Sequence, residues 1–256
     1  MKILVCLKQV PAKDAPIKVA AGETWIREDV TYEVNEPDAF ALEEALRQKE
    51  AHGGEVVALT VGPARAAQVL REALAKGADR AVHVEGEAAA QLDGFATAEA
   101  IARAIPGEHF DLIFTGLQSD DYGFAQVGVV LAELLGLPHA TIIMHLEPTA
   151  TGIRVKRELE GGYFQNVDMP TPAVLTIQSG INKLRYATLM GIKAAKNKPL
   201  TRHSLEEMGV TPKLNRQTIT RLYVPTRSKK TEMLTGSAKE TAARLVEHLR
   251  NDARVI

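Results

Sequence analysis

The sequence predicts an α/β fold, a doubly wound and mostly parallel sheet with a β-hairpin extension and an extended C-terminal arm. Three observations carry this reading. Short apolar runs alternate with helical patterns four times over about the first 135 residues, the signature of strand-helix-strand crossovers. The runs are continuous rather than alternating, as strands covered on both faces must be. After His139 the pattern changes to β-rich pieces separated by Gly161-Gly162 and Pro170-Thr171-Pro172.

Residues 2–7 form the first apolar run, followed by candidate hairpin strands at 17–19, 24–26 and 31–34. A helix covers 38–50, where Leu42, Ala45 and Leu46 recur at helical spacing, and Asn35, three residues before Asp38, marks its entry. The run 56–61 ends at Gly62-Pro63; Val69, Leu70, Ala73 and Leu74 then share a helical face that Gly77 terminates. Residues 81–84 and 110–115 are further strands around a helix at 95–105, and Val127, Leu131, Leu134 and Leu135 define a fourth helix stopped by Gly136. The pieces 141–146, 152–159, 163–167 and 173–178 fit a hairpin extension of the sheet. Beyond Ile181 only Ala242, Leu245, Val246 and Leu249 give a clear helix. The expected division is therefore an α/β domain over residues 1–200 and an arm over 201–256, with too little core of its own to fold alone.

Composition removes several function classes. Thirty-one Lys and Arg balance 32 Asp and Glu, so the overall charge offers no drive toward nucleic acid, and few aromatics are present to stack bases. No apolar run approaches the roughly 20 residues of a membrane span, and the N-terminal run is too short for a secretion signal, so a soluble, cytoplasmic protein is expected. One cysteine, Cys6, excludes an internal disulfide and a thiolate metal cluster; a small buried core residue is its plainest role. The seven histidines show no metal-ligand spacing, and Ser119 lacks the Gly-flanked elbow of a hydrolase. No metal or acyl-transfer site is expected.

Open parallel sheets bind ligands beyond the carboxyl ends of their strands, where strand order reverses. The segments there are Lys8-Gln9-Val10-Pro11, Gly62-Pro63 and Gly116-Leu117-Gln118-Ser119-Asp120-Asp121-Tyr122-Gly123-Phe124-Ala125-Gln126-Val127-Gly128. The last combines glycines, polar side chains and a helix N-terminus, a composition suited to a nucleotide phosphate; a plain polar loop is the other reading. Asp120-Asp121 is read as loop capping before an acid/base pair. Residues 179–204 hold Lys183, Arg185, Lys193, Lys196, Lys198 and Arg202 with no acid, interleaved with Leu184, Tyr186, Leu189 and Met190. An apolar hook in a basic collar suits an acidic protein partner with an apolar pocket, and the alternative is a solvated helix with Leu189 packed inward.

Several blocks together resemble the electron transfer flavoprotein β subunit: Met1 through Pro11, Ala41-Leu42-Glu43-Glu44-Ala45-Leu46, Val57 through Pro63, Ala73 through Ala81, the 115–128 loop, and Leu184-Arg185-Tyr186-Ala187-Thr188-Leu189. The resemblance implies a Rossmann-like, adenine nucleotide-binding fold and an electron carrier subunit without catalytic residues. An α subunit would hold the redox-active FAD while this chain buries a structural AMP. Electrons would pass from dehydrogenases, such as the acyl-CoA dehydrogenases of fatty acid β-oxidation, to a membrane quinone oxidoreductase. Carried onto this chain, AMP contacts fall on Cys6, on Asn35, Glu36, Pro37 and Asp38, on Val61, and on Gly116 through Val127. Partner docking falls on Leu184, Arg185, Tyr186, Leu189, Met190, Lys193 and Lys196, with Leu189 as anchor, and the tail would embrace the α subunit.

Two departures stand out. Leu117 occupies a place where many members carry Lys or Arg, and Phe124-Ala125 replaces a common Asn or Thr before Gln126, which shifts phosphate binding toward backbone N–H groups, Ser119 and the helix terminus. Bifurcating relatives bind a second FAD in place of AMP and commonly carry Gly-Asp-Thr where this chain has Tyr122-Gly123-Phe124. A stand-alone nucleotide-binding enzyme is the reading from another class, and its usual Gly- and Ser-rich pyrophosphate loop is missing here.

Overall fold

In chain order the secondary structure runs β1 (Lys2–Cys6), β2 (Gln9–Pro11), β3 (Tyr32–Val34), α1 (Glu36–His52), β4 (Glu55–Gly62), α2 (Ala67–Lys76), β5 (Arg80–Glu85), α3 (Gly94–Ala104), β6 (Leu112–Gly116) and α4 (Val127–Leu135). It continues with β7 (His139–Pro148), β8 (Ile153–Glu158), β9 (Phe164–Met169), β10 (Ala173–Ile177), α5 (Leu189–Ala195), β11 (Leu200–Ser204) and α6 (Ala238–Asn251). This computed structural model describes residues 1–22, 24–226 and 231–256.

Nine strands form one sheet in the order β11-β5-β4-β1-β6-β10-β7-β8-β9. From β11 to β7 all pairs are parallel; β8 and β9 add the antiparallel hairpin. The fold is thus the doubly wound α/β sheet that the alternating runs predict. Successive residues of β1 face opposite sides, and both sides are apolar. Ile3 and Val5 pack with Ala41, Leu42, Ala45 and Leu46 of α1 and with Leu70 and Leu74 of α2. Leu4 and Cys6 pack with Ala96, Ala100 and Ile101 of α3 and with Leu131 and Ala132 of α4.

Three expectations need correction. The candidate hairpin at 17–26 is reduced to a single Val19–Ile26 bridge, and β3 pairs with β2 instead. β10 does not extend the hairpin: it inserts between β6 and β7, parallel to both, because its five residues are all buried and need a covered place in the sheet. The boundary at 200/201 falls on β11, which pairs with β5 from Leu200–Ala81 to Ser204–Glu85. Past that strand Leu205 and Val210 are buried against the α3–α4 face, and the N–H groups of Arg216 and Gln217 donate to Asp93, the N-cap of α3. Attachment to the domain therefore continues to Gln217. From residue 218 onward no described residue is buried.

Candidate functional site

β1 is followed across the sheet by β4 and β5 on one side, whereas β6 leads away to β10 on the other, so strand order reverses between β1 and β6. A single carboxylate spans that gap. Asp38, in the first turn of α1, accepts the N–H of Lys8 (2.7 Å) with one oxygen and the N–H of Gly116 (2.8 Å) with the other. Burial pushes its pKa up to about 7 against the bonds from Lys8, Asn35 and Gly116, which work the other way. The neighbouring Asn35, also buried, donates to the Gln118 carbonyl (3.0 Å) and accepts the N–H of Asp120 (2.9 Å). Asn35 is the helix N-cap, yet its side chain accepts none of the helix's own N–H groups and binds the 116–127 loop instead. Asp120 returns the support by accepting the N–H of Glu36 at 3.2 Å.

The Lys8 side chain enters the crevice. Its ammonium lies 2.6 Å from Asp121, 3.3 Å from the Ser119 hydroxyl and 4.3 Å from the centre of the Tyr122 ring. Burial lowers its pKa despite the attraction of Asp121 and Asp38. Tyr122 stacks on Phe124 (5.6 Å) and meets Trp25, the only tryptophan, at 4.7 Å. Further along, Ala125 adopts the left-handed region at φ 54, and α4 begins without a side-chain cap, leaving its first N–H groups directed at the crevice end of the sheet. Gly128 lets α4 lie close: a Cβ there would sit 2.6 Å from both Thr115 Oγ1 and Thr176 Cγ2.

The structure brings Asn35, Glu36, Pro37 and Asp38 together with Gly116, Leu117, Gln118, Ser119, Asp120 and Asp121. Asp38 and Pro37 lie buried beneath the crevice, and neither Asp38 oxygen is left without a backbone partner. Cys6, at the end of β1, is buried, and its thiol pKa is pushed up by burial and by Asp38, the behaviour of an inert core thiol. Val61 stands two residues beyond the Cys6–Leu59 pair on the neighbouring strand. Gln126 lies against the start of α3, within 3.1 Å of where a Cβ on Gly94 would be. Gly123 turns the loop and donates to the Ser119 carbonyl at 2.8 Å. Lys8 was legible only as a segment to inspect, and Trp25 not at all, since its ring contact joins distant parts of the chain.

The hook is built on a second surface. Tyr186, Leu189 and Met190 are 94, 81 and 82% exposed, so Leu189 does not pack inward. Thr188 caps α5 by accepting the N–H of Gly191 at 3.0 Å. Leu184 is half-buried, whereas Lys193 and Lys196 are exposed. Arg185, expected among the outward docking groups, points the other way, into an ion pair with Glu43 and Glu50 of α1. Two acids on one helix face outbid solvent for its guanidinium.

Residues 24–208 match the model of the electron transfer flavoprotein domain. The chain belongs to the electron transfer flavoprotein β-subunit family. It is 39% identical to the electron transfer flavoprotein subunit beta of Methylophilus methylotrophus, over 96% of this chain and 97% of that one. It is 35% identical to the subunit of the same name from Bacillus subtilis over the full length of both. A third relative, the caffeyl-CoA reductase-Etf complex subunit CarD of Acetobacterium woodii, is 36% identical over 98% of each chain. Membership makes this an electron-transfer subunit of a flavin-containing complex with an α subunit as partner. Among the described residues no helix is long and apolar enough to cross a membrane.

Proposed function

We propose that the chain is the β subunit of a heterodimer in which the α subunit holds most of the FAD contacts, while this chain buries AMP at the β1–β6 switch point and docks the electron donor. The flavin, when bound, supplies the one- and two-electron chemistry. This chain supplies position and recognition. The observation that carries the reading is the hook: three large apolar side chains held almost fully in solvent, beside a collar of lysines, form a surface that makes sense only when a partner covers it. Donors of the acyl-CoA dehydrogenase class fit, with onward transfer to a membrane quinone oxidoreductase and a cytoplasmic setting.

The crevice suits AMP by its chemistry. The uncapped α4 terminus and the Lys8 ammonium offer complementary partners for a phosphate, and the Ser119 hydroxyl adds a donor. Occupation by phosphate would require Lys8 to leave Asp121. The Trp25–Tyr122–Phe124 cluster lies beside the Lys8 ammonium, and the bulk it adds next to that group supports a mononucleotide over a second FAD.

The test is reconstitution. The chain, co-purified with its α partner, is reduced by an acyl-CoA dehydrogenase and its substrate while flavin bleaching is followed. Saturable reduction by the dehydrogenase is expected; a heterodimer that binds flavin but accepts electrons from no acyl-CoA dehydrogenase would overturn the donor assignment.

A further inference from the structure

Between the exposed hook and the sheet lies a root, residues 182–185, bonded almost entirely to one helix. Asn182 donates to the Phe40 carbonyl (3.1 Å) and to Glu44 (3.2 Å). Arg47 donates to the Lys183 carbonyl (3.0 Å) and to Glu43 (2.8 Å). Arg185 supplies the densest contact: its Nε and Nη2 donate to the two oxygens of Glu43 (2.7 and 3.1 Å), its backbone N–H reaches Glu43 as well (3.3 Å), and both terminal nitrogens donate to Glu50 (3.0 Å for Nη2). Glu43, Arg47 and Glu50 are four and three residues apart and share one face of α1. On the other side α5 is pressed onto α2: a Cβ on Gly191 would collide with the Ala75 carbonyl, and Lys198 donates to the Leu74 and Ala78 carbonyls (2.9 and 2.6 Å) at the end of α2.

We propose that Arg185 is a positioning residue: it acts on the partner through Leu189, by fixing the root so that Tyr186, Leu189 and Met190 are presented in one preformed arrangement. The inference rests on the docking reading above. An apolar edge without such a root would collapse onto the surface or sample many positions, and each would have to be frozen on binding. The fork of Arg185 is matched to two carboxylates at once. Glu43, with its side chain only 5% exposed, is the kind of buried acid for which a planar, bidentate donor matters and a lysine is no substitute. An ordinary exposed ion pair would contribute far less. The N-terminal end of the same helix meets the crevice through Asn35 and Asp38, so the hook and the crevice are tied to one element.

The experiment uses the full heterodimer with an acyl-CoA dehydrogenase as probe, and compares wild type, Arg185→Lys, Leu189→Ala and the double variant. Arg185→Lys should raise the apparent KM for the dehydrogenase about tenfold with kcat held, and should add less than about twofold once Leu189 is already Ala, because the two act through one contact. Amide hydrogen exchange of residues 186–192 in the heterodimer alone should accelerate in Arg185→Lys while exchange in β1, β4 and β6 stays slow. Effects that multiply in the double variant would mean that Arg185 touches the partner itself and would overturn the proposal, as would unchanged exchange at 186–192. Should Leu189→Ala leave KM unaltered, the docking reading fails, and the exchange result alone then decides whether Arg185 positions the hook. Where Arg185→Lys does not fold, Glu50→Gln removes the more exposed half of the clamp and carries the same expectations.

Discussion

Asp38 joins the ends of the two strands that flank the crevice, and its environment makes it the titrating group with the clearest consequence. Unfolded, it titrates near the ordinary 3.8; folded, at about 7. The folded state thus holds the proton more tightly. Below the unfolded value both states are protonated and nothing is lost, whereas stability falls as pH rises through the window up to the folded value. Asp38→Asn should remove that slope, since an amide does not ionise there, and should cost about 1–3 kcal/mol because it turns an N–H toward a backbone donor. Denaturant titrations of both proteins from pH 4 to pH 8 check this; a variant that keeps the wild-type slope would assign the titration elsewhere. Gly128→Ala probes the opposite wall, where overpacking against Thr115 and Thr176 should cost about 1–3 kcal/mol and displace the α4 terminus. Melting temperature and retained nucleotide should fall together. At this scale the sequence was partly legible. The loop at 116–127 announced itself by glycines and polar residues after an apolar strand, but the Lys8–Asp121 pair and the Trp25–Tyr122 contact join residues about a hundred positions apart, and no local pattern encodes them. The inward turn of Arg185 is not legible locally for the same reason: its basic neighbours are in sequence, its acidic partners on a distant helix.

Among the elements, the strongly apolar ones were readable and the short, half-polar ones were not. β1, β4 and β6 are nearly continuous buried runs, and glycines mark both ends of β4 and the end of β6. β11, with only five residues and none of them buried, carries neither alternation nor a continuous apolar run, and its place beside β5 is set by the sheet edge available to it. α5 is likewise short, and what the pattern did reveal was its misfit, apolar side chains among lysines. Its exposure allows a separation of docking from folding. Leu189→Ala removes a side chain that is 81% exposed, so thermal stability, flavin and nucleotide content should remain near wild type, while binding to the dehydrogenase should weaken by about 1.5–3 kcal/mol, tenfold or more. Neutralising Lys193 and Lys196 should instead slow association chiefly at low salt. Calorimetric melts beside a transfer titration distinguish these outcomes. Early melting with unchanged transfer per folded molecule would return Leu189 to the core. Acidification adds a check on the hook's root. The carboxyls of Glu43 and Glu50 are both held below their ordinary value; burial of Glu43 opposes this, but bonds from Arg185 and Arg47 outweigh it, and Glu50 is held chiefly by Arg185. The clamp is therefore intact at neutral pH and is lost as pH falls through those lowered values, with faster exchange at 186–192 as the readout.

Across the whole molecule, one two-faced sheet carries the crevice proposed to hold a nucleotide at its carboxyl end, the α5 hook proposed to dock a partner, and beyond Gln217 a tail in which no described residue is buried. Helix α6 is well capped, with Ser237 and Glu240 forming a capping box, yet Leu245 and Val246 are 50 and 44% exposed, and Tyr223, Val224 and Met233 are exposed also. A helix with an apolar stripe and no core suits a surface on the α subunit. Ending the chain after Gln217 should leave the sheet folded, because the bonds to Asp93 and the burial of Leu205 and Val210 are retained, and should weaken the heterodimer. Size-exclusion chromatography of the co-expressed chains shows it; undiminished assembly would remove the arm from the interface. The occupant of the crevice is decided by the mass of the nucleotide released on denaturing this chain, purified with and without its α partner. One adenosine monophosphate per chain is expected in both, with FAD appearing only when the partner is present. A second FAD per heterodimer in place of AMP would rule out the mononucleotide site.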